Sequence, residues 1–343
     1  MSFRIHYLRL LNEISQKFEE PDWETVREWI EEQVSELRVR GDPFVPVSVG
    51  MLSESKDPVL HPGDVVRTTI LARDAKFAVP PYCQIDESVL GMGSLHVSEG
   101  VTIGGDLLAH DAIHWEGGAT SSVRHLVARD IYLSSPPGTI RGGIWCDSLL
   151  SADIKGVNLP PDTVIEGVAV VDGASEGTFV VGAHSRLGGL YIEASVETQP
   201  QVTISHLQVS GKVELGRNNQ IGYVEGTSVT ADSNCRLGVL VSNGGVELGK
   251  GGVVDTIRAQ GDIVLDESVV VTGHTLLSEK GNLYIKPGTG WHTNREHWFY
   301  VLPGEVLQPY GDDMPRPPHS KLLVIRTLTH SLWKQIERLS GRL

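Results

Sequence analysis

The sequence predicts an all-β protein, a parallel β-helix (β-solenoid) built from coils of about 17 residues. The first observation is a repeat: residues 188–271 divide into five segments of 16 or 17 residues, which begin at Gly188, Ser205, Gly222, Gly238 and Asp255. The second is that apolar residues recur at fixed places in these segments. Four columns result: Leu190, Leu207, Val224, Leu240 and Ile257; Val196, Val213, Val229, Val246 and Ile263; Ile204, Ile221, Leu237, Val254 and Val271; and Thr198, Leu215, Ala231, Leu248 and Leu265.

The third observation is the spacing of apolar residues within one segment. Inward residues lie two apart, as in Val213 and Leu215, and a period of two indicates a β-strand. Glycine and asparagine cluster between the strands, where a tightly wound coil needs corners with positive φ. Each segment is therefore one coil of two or three short strands, in parallel register with the next.

Residues 1–41 are predicted to form two amphipathic helices in a hairpin. Pro21 suits the first position of the second helix, and Gly41 ends it. Trp23 and Trp29 would be exposed on a lone hairpin, so we expect them to take part in an interaction. The hairpin either covers the first coil or serves as a dimerisation module.

Residues 42–92 are rich in proline and are predicted to lead into the solenoid, with a first strand near Val65 to Leu71. The β-helix itself is predicted over residues 93–287. Its coils start at uneven intervals before residue 166, which indicates loops that protrude at the corners, at 134–138 and 151–165. Loops of this kind often carry binding sites.

The C-terminal part contains two further predicted segments. Residues 288–318 combine an aromatic segment, suited to closing the end of the apolar core, with a Pro-rich link. Residues 319–343 form a basic amphipathic helix, in which Trp333 and Arg338 are candidate interaction residues. This helix packs on the rest of the chain, associates with another copy, or lies on an anionic membrane surface.

Composition limits the classes of function. The net charge of −14 argues against nucleic acid as a partner. The three cysteines, Cys83, Cys146 and Cys235, show no metal-binding spacing, and Cys235 falls on an inward position. Charged residues interrupt the N-terminal stretch, which predicts neither a signal peptide nor a spanning segment. We therefore expect a cytoplasmic protein, with peripheral membrane contact as an alternative.

The densest group of titratable residues comprises Asp106, His110, His114 and His125. We expect Asp106, His110 and His114 to point outward, with His125 one coil after Asp106 at the matching position. A carboxylate beside imidazoles can bind a divalent metal or perform acid–base catalysis. Spacing fixes no third ligand, and polar residues are expected on an outer face, so a solvated surface is the preferred interpretation. No catalytic residue, metal or cofactor is assigned.

The coil motifs Ser210–Gly216 and Gly261–Leu265 resemble those of the bactofilins, polymer-forming bacterial cytoskeletal proteins with a compact right-handed β-helix. The resemblance covers residues 93–287 and implies head-to-tail assembly through the ends of the helix, without nucleotide. The chain departs from the family in its longer core and its predicted flanking helices. If those helices cover the terminal coils, the resemblance implies a closed scaffold instead of a filament.

A second resemblance is weaker. The pairs Leu215-Gly216 and Ile221-Gly222, six residues apart, are similar to the hexapeptide repeat of left-handed β-helix acyltransferases, although one face of each coil is a residue short. The sequence therefore favours a non-enzymatic bactofilin-like scaffold for self-assembly or protein interaction. The alternative is a β-helix enzyme, an acyltransferase or a carbohydrate-active enzyme, that uses loops in region 105–165.

Overall fold

The computed structural model describes residues 59–72, 74–173, 177–272, 276–278, 281, 283–285, 300–301 and 323–324. The predicted N-terminal hairpin lies outside these residues, as do nearly all of the capping segment and the C-terminal helix. The four candidate interaction residues Trp23, Trp29, Trp333 and Arg338 lie there too, so their roles stay predictions. The chain divides into a first unit, residues 1–193, and a second unit, residues 194–343.

The described part of the first unit consists of short strands with parallel pairing. They are β1 (Val65–Val66), β2 (Ile70–Ala72), β3 (Lys76–Val79), β4 (Gln84–Ile85), β5 (Val89–Gly91), β6 (Ser94–Val97), β7 (Thr102–Ile103), β8 (Leu107–Ala109), β9 (Ala112–Trp115), β10 (Ser122–Val123), β11 (Leu126–Val127), β12 (Asp130–Leu133), β13 (Thr139–Ile140), β14 (Ile144–Cys146), β15 (Ser148–Ser151), β16 (Val164–Val171), β17 (Thr178–Val181) and β18 (Arg186–Ile192).

These strands form a parallel β-solenoid with three strands in each of the first five coils. Each strand pairs with the strand of the same face one coil later, as β6 does with β9 and β9 with β12. The alternation of inward and outward residues follows from the two-residue period of a strand. One inward column reads Phe77, Leu95, Ile113, Ile131 and Leu149, all buried.

The solenoid strands begin at Val65, within the run predicted to contain a first strand, and the predicted boundary at residue 93 falls inside this array. The predicted excursion at 134–138 lies between β12 and β13, and most of the one at 151–165 lies between β15 and β16. The predicted inward residues Leu107, Ala109, Ile113 and Trp115 are buried.

The second unit is also a parallel β-solenoid, with regular coils. Its strands are β19 (Ser195–Thr198), β20 (Thr203–Val209), β21 (Lys212–Leu215), β22 (Gln220–Gly226), β23 (Ser228–Ala231), β24 (Arg236–Ser242), β25 (Val246–Leu248), β26 (Val253–Ala259), β27 (Ile263–Leu265), β28 (Val270–Val271), β29 (Leu276–Ser278) and β30 (Leu283–Ile285). Two short strands, β31 (Tyr300–Val301) and β32 (Leu323–Val324), pair separately.

Strand register within the second unit confirms the predicted columns. Leu207, Val224, Leu240 and Ile257 are register partners in turn, and so are Ile204, Ile221, Leu237, Val254 and Val271. The column of Val196, Val213, Val229, Val246 and Ile263 is confirmed in the same way. Stacking of like apolar residues at one spacing of about 4.8 Å fills the interior continuously, so each coil stabilises the next.

Left-handed backbone occurs at corners of the second unit, at Asn218 and Gly251 as predicted and also at Gln201 and Ser268, whereas the neighbouring glycines Gly216, Gly249 and Gly252 have no positive φ. Asn218 and Asn234 have φ values of 60° and 59°, and Gly251 follows at 71°. Asparagine and glycine adopt this region at low cost. Cys235 is buried, as expected for a small hydrophobic residue, and burial raises the pKa of its thiol.

Candidate functional sites: a closed charge cluster and an open groove

Each unit has a corner that separates two inward residues and presents the two intervening residues outward. In the first unit Val123 and Leu126 are the inward pair, and Arg124 and His125 lie between them. In the second unit Ile204 and Leu207 are the inward pair, and they enclose Ser205 and His206. The first-unit corner contains His125, one of the predicted candidate residues. The second-unit corner contains a groove that was not predicted.

In the first unit a buried charge cluster occupies the corner. Oδ1 of Asp106 lies 2.8 Å from Nδ1 of His125 and 3.0 Å from Nε of Arg124. Oδ2 of the same carboxylate accepts a hydrogen bond from Nη2 of Arg124 at 3.1 Å. The Asp106 side chain is only 3% exposed. A carboxylate so far from water requires charged partners of this kind, since an unpaired buried charge is costly.

The cluster is packed closely on its other sides. The backbone N–H of Asp106 donates to Oγ of Ser88 at 3.0 Å. The His125 ring lies against Gly142, where a Cβ would overlap the imidazole. Asp106 and His125 are thus paired across one coil, as their matching positions predict. The expectation that Asp106 lies on a solvated outer face is wrong, because the Arg124 and His125 side chains of the next coil cover the carboxylate.

The other two predicted candidates lie elsewhere. Nδ1 of His110 is 2.9 Å from Oδ1 of its neighbour Asp111. His114 is exposed on β9, as expected, and stacks on Tyr132 with ring centroids 4.6 Å apart and an interplanar angle of 5°. Partial burial lowers the pKa of His114, and the charges of His96 and Lys76 lower it further.

The four predicted candidates therefore occupy three places. Nothing brings all of them into one catalytic or metal-binding constellation, and no group of three or more His, Cys, Asp or Glu side chains in the described part of the chain is arranged to hold a metal ion. Sequence reasoning missed Arg124 and Tyr132. Tyr132 lies one coil after His114 in strand register, and Arg124 directly precedes His125, the residue one coil after Asp106, so the coil offset is the signal that would have found them.

In the second unit the corresponding corner is an open groove of about 740 Å³. Ser205, Gly222 and Gly238 form its floor on successive coils. A Cβ at either glycine would overlap the backbone of the preceding coil, so the close approach of the coils requires glycine there. One wall carries Thr203, Gln220, Arg236 and Val253, and the other carries His206, Tyr223 and Val239.

The groove walls differ in character from the first-unit corner. Arg236 is exposed, and its guanidinium forms no hydrogen bond or ion pair with a side chain in the described ranges. The rings of His206 and Tyr223 stack at 5.7 Å and 26°, and the Tyr223 hydroxyl donates to Oε2 of Glu225 at 2.9 Å. None of the described residues that line the groove carries a carboxylate. The site therefore offers one permanent cation, neutral hydrogen-bonding groups and apolar surface.

Sequence reasoning did not find this groove. Its only sequence signal is the repeated pair between inward columns, Ser205-His206, Gly222-Tyr223 and Gly238-Val239, in which a small residue comes first.

Comparison of the chain with protein-family models, curated proteins and solved structures gives no significant match. The resemblance to bactofilins accordingly rests on the coil motifs alone. No helix in the described part of the chain combines the length and the apolar character needed to cross a bilayer.

Proposed function

We propose that the chain is a non-enzymatic β-solenoid scaffold that binds protein partners, copies of itself included, along its outer surface. The observation that carries this proposal is the open groove of the second unit. Backbone hydrogen bonding between coils fixes its walls, and the strands β20, β22, β24 and β26 stay in register across it. A preformed surface binds with less loss of conformational entropy than a flexible one.

The distribution of titratable groups supports binding over catalysis. The groove lining provides a histidine and an arginine, but none of its described residues is an acid that would complete an acid–base pair. In the first unit, the Asp106 carboxylate is already engaged by Arg124 and His125. Under this proposal, one form of the scaffold is a bactofilin-like assembly, in which copies of the chain join in the cytoplasm.

Light scattering after size exclusion, with negative-stain electron microscopy of the full chain, tests the proposal. We expect masses above the 37.3 kDa monomer that rise with concentration, or filaments. Ser205→Trp would fill the groove floor, and Thr230→Trp places the same ring on another exposed strand position. If assembly uses the groove, only Ser205→Trp reduces it. A chain that is monomeric at every concentration and binds no protein segment would refute the scaffold.

A β-helix enzyme that uses region 105–165 is the second candidate, and the Asp106–His125 pair is the observation that favours it. A carboxylate at 2.8 Å orients an imidazole for proton transfer. The test is a screen for acyl-CoA and oligosaccharide turnover, followed by His125→Gln in any positive assay. Turnover that His125→Gln abolishes, while circular dichroism stays unchanged, would establish the enzyme and displace the scaffold proposal.

A further inference from the structure

We propose that the groove of the second unit binds an extended peptide segment that carries a carboxylate, with Arg236 as the residue that binds this anion. The inference rests on the proposed scaffold function and names the chemistry of its partner.

Arg236 is exposed and makes no ion pair with an acidic side chain of the described residues, in contrast to Arg124 and Arg217. Arg124 binds Asp106 through two nitrogens, and the exposed Arg217 lies 3.0 Å from Asp232. Arg236 projects from β24 into the wall of the groove, and its neighbours on that wall are neutral. A guanidinium presents a planar fork of N–H donors that matches a carboxylate in bidentate geometry. A ligand carboxylate would therefore complete this wall.

Equivalent positions in the first unit show what a filled corner contains. There Arg124 and His125 occupy the two places between the inward residues, and they close over the Asp106 carboxylate. In the second unit the first of these places holds Ser205, Gly222 or Gly238, so the corner stays open. The second unit thus has a guanidinium and a vacant corner, but its lining supplies no acid to occupy it.

The dimensions and apolar surface of the groove fit an extended polypeptide. Its lining comes from four successive coils, a span of about 14 Å at 4.8 Å for each coil step. At about 3.3 Å per residue this accommodates roughly four extended residues. Val239 is 36% exposed, and Val253 lies beside Arg236. Apolar side chains that flank the acid would bury this surface.

Stacking of His206 on Tyr223 reduces the aromatic surface on which a sugar ring could stack. Sugar rings bind proteins by stacking on the open face of an aromatic ring. His206 and Tyr223 stack on each other at 5.7 Å, so the faces between them are occupied. The outer ring faces, the ring edges and the aliphatic groups remain, and these can pack against apolar side chains of a ligand.

The test uses the full chain and an array of heptapeptides with random flanking residues and a fixed central Glu, Gln or Lys. We expect stronger retention by Glu-centred peptides than by Gln-centred ones. Fluorescence anisotropy on the best Glu peptide and its Gln twin then gives dissociation constants. Loss of a bidentate charged hydrogen bond corresponds to about tenfold weaker binding or more, so Arg236→Gln should lose this factor for the Glu peptide only.

The matched control is Arg258→Gln, which makes the same charge change on β26 at an exposed position outside the groove lining and should leave binding unchanged. Equal retention of Glu and Gln peptides, or equal loss in both variants, would overturn the inference. Oligogalacturonate that binds through Arg236 while no peptide does would also overturn it, in favour of an acidic polysaccharide. Self-assembly that persists while the peptide test fails would leave the scaffold proposal intact.

Discussion

Nδ1 of His125 lies 2.8 Å from Oδ1 of Asp106 although the two residues belong to successive coils, and both side chains are buried. Arg124 completes the cluster and neutralises the carboxylate. Because both charges are held away from water, loss of Asp106 or Arg124 would leave the other charge buried without this partner.

Asp106→Asn should destabilise the protein by about 3 kcal/mol or more, because it leaves the largely buried Arg124 guanidinium without its counter-charge. Urea unfolding followed by circular dichroism measures the change. Asp130→Asn removes the partner of the exposed Arg129 and should cost less than about 1 kcal/mol. Equal effects of the two substitutions would show that the buried cluster contributes no special stability.

Asn219 supports the interior of the second unit through its side-chain amide. Its Oδ1 accepts the backbone N–H of Val202 at 2.7 Å, and its Nδ2 donates to the Thr198 hydroxyl. Asn219→Ala should lower the free energy of unfolding by about 1–3 kcal/mol, since the buried N–H of Val202 loses its acceptor. Gln220→Ala, at the exposed next position, is the control and should have little effect. Thermal denaturation of both variants measures the two changes in stability.

The effect of a substitution at Asn218 on stability should depend on whether the new residue tolerates a positive φ. Its φ of 60° suits glycine or asparagine, whereas a β-branched residue is strained there. Asn218→Gly should keep the thermal midpoint close to that of the parent chain. Asn218→Val should destabilise by about 1–2 kcal/mol. The backbone assignment fails if valine is tolerated as well as glycine.

His114 should titrate below the usual range for histidine. Partial burial of its ring lowers its pKa, and the charges of His96 and Lys76 lower it further, so the unfolded chain takes up this proton first. Its contribution to stability is present above pH 6.5 and declines as the pH falls from there towards the folded pKa. Titration of the imidazole proton by NMR measures the shift.

Two variants separate the causes of that shift. Tyr132→Ala removes the ring stacked on His114, and Lys76→Gln removes a positive charge, so each should raise the pKa of His114. Lys212→Gln, on β21 in the second unit, should not move it. A pKa that stays unchanged in Tyr132→Ala would exclude burial by that ring as a cause.

The sequence by itself determined the solenoid and the inward face of its coils. Every inward position must be apolar and of similar size from coil to coil, because like residues stack on one another in parallel register. Val213 and Leu215 therefore identify the columns to which they belong. The 16-residue segment that begins at Gly222 is shorter than the others, but the columns continue through it. Burial of Cys235 follows from the same periodicity.

Only the tertiary structure decided whether the outward residues at the corner are buried or exposed. Asp106 is polar, so the sequence predicts a surface residue. The Arg124 and His125 side chains one coil later nevertheless enclose it. Ser205 and Gly222 leave the corresponding place open, and Arg236 faces that opening. Burial of an outward residue depends on the side chains of neighbouring coils and on how the strand bends, and a one-dimensional repeat records neither. The apolar columns are encoded locally, whereas the charge cluster and the groove arise from contacts between coils.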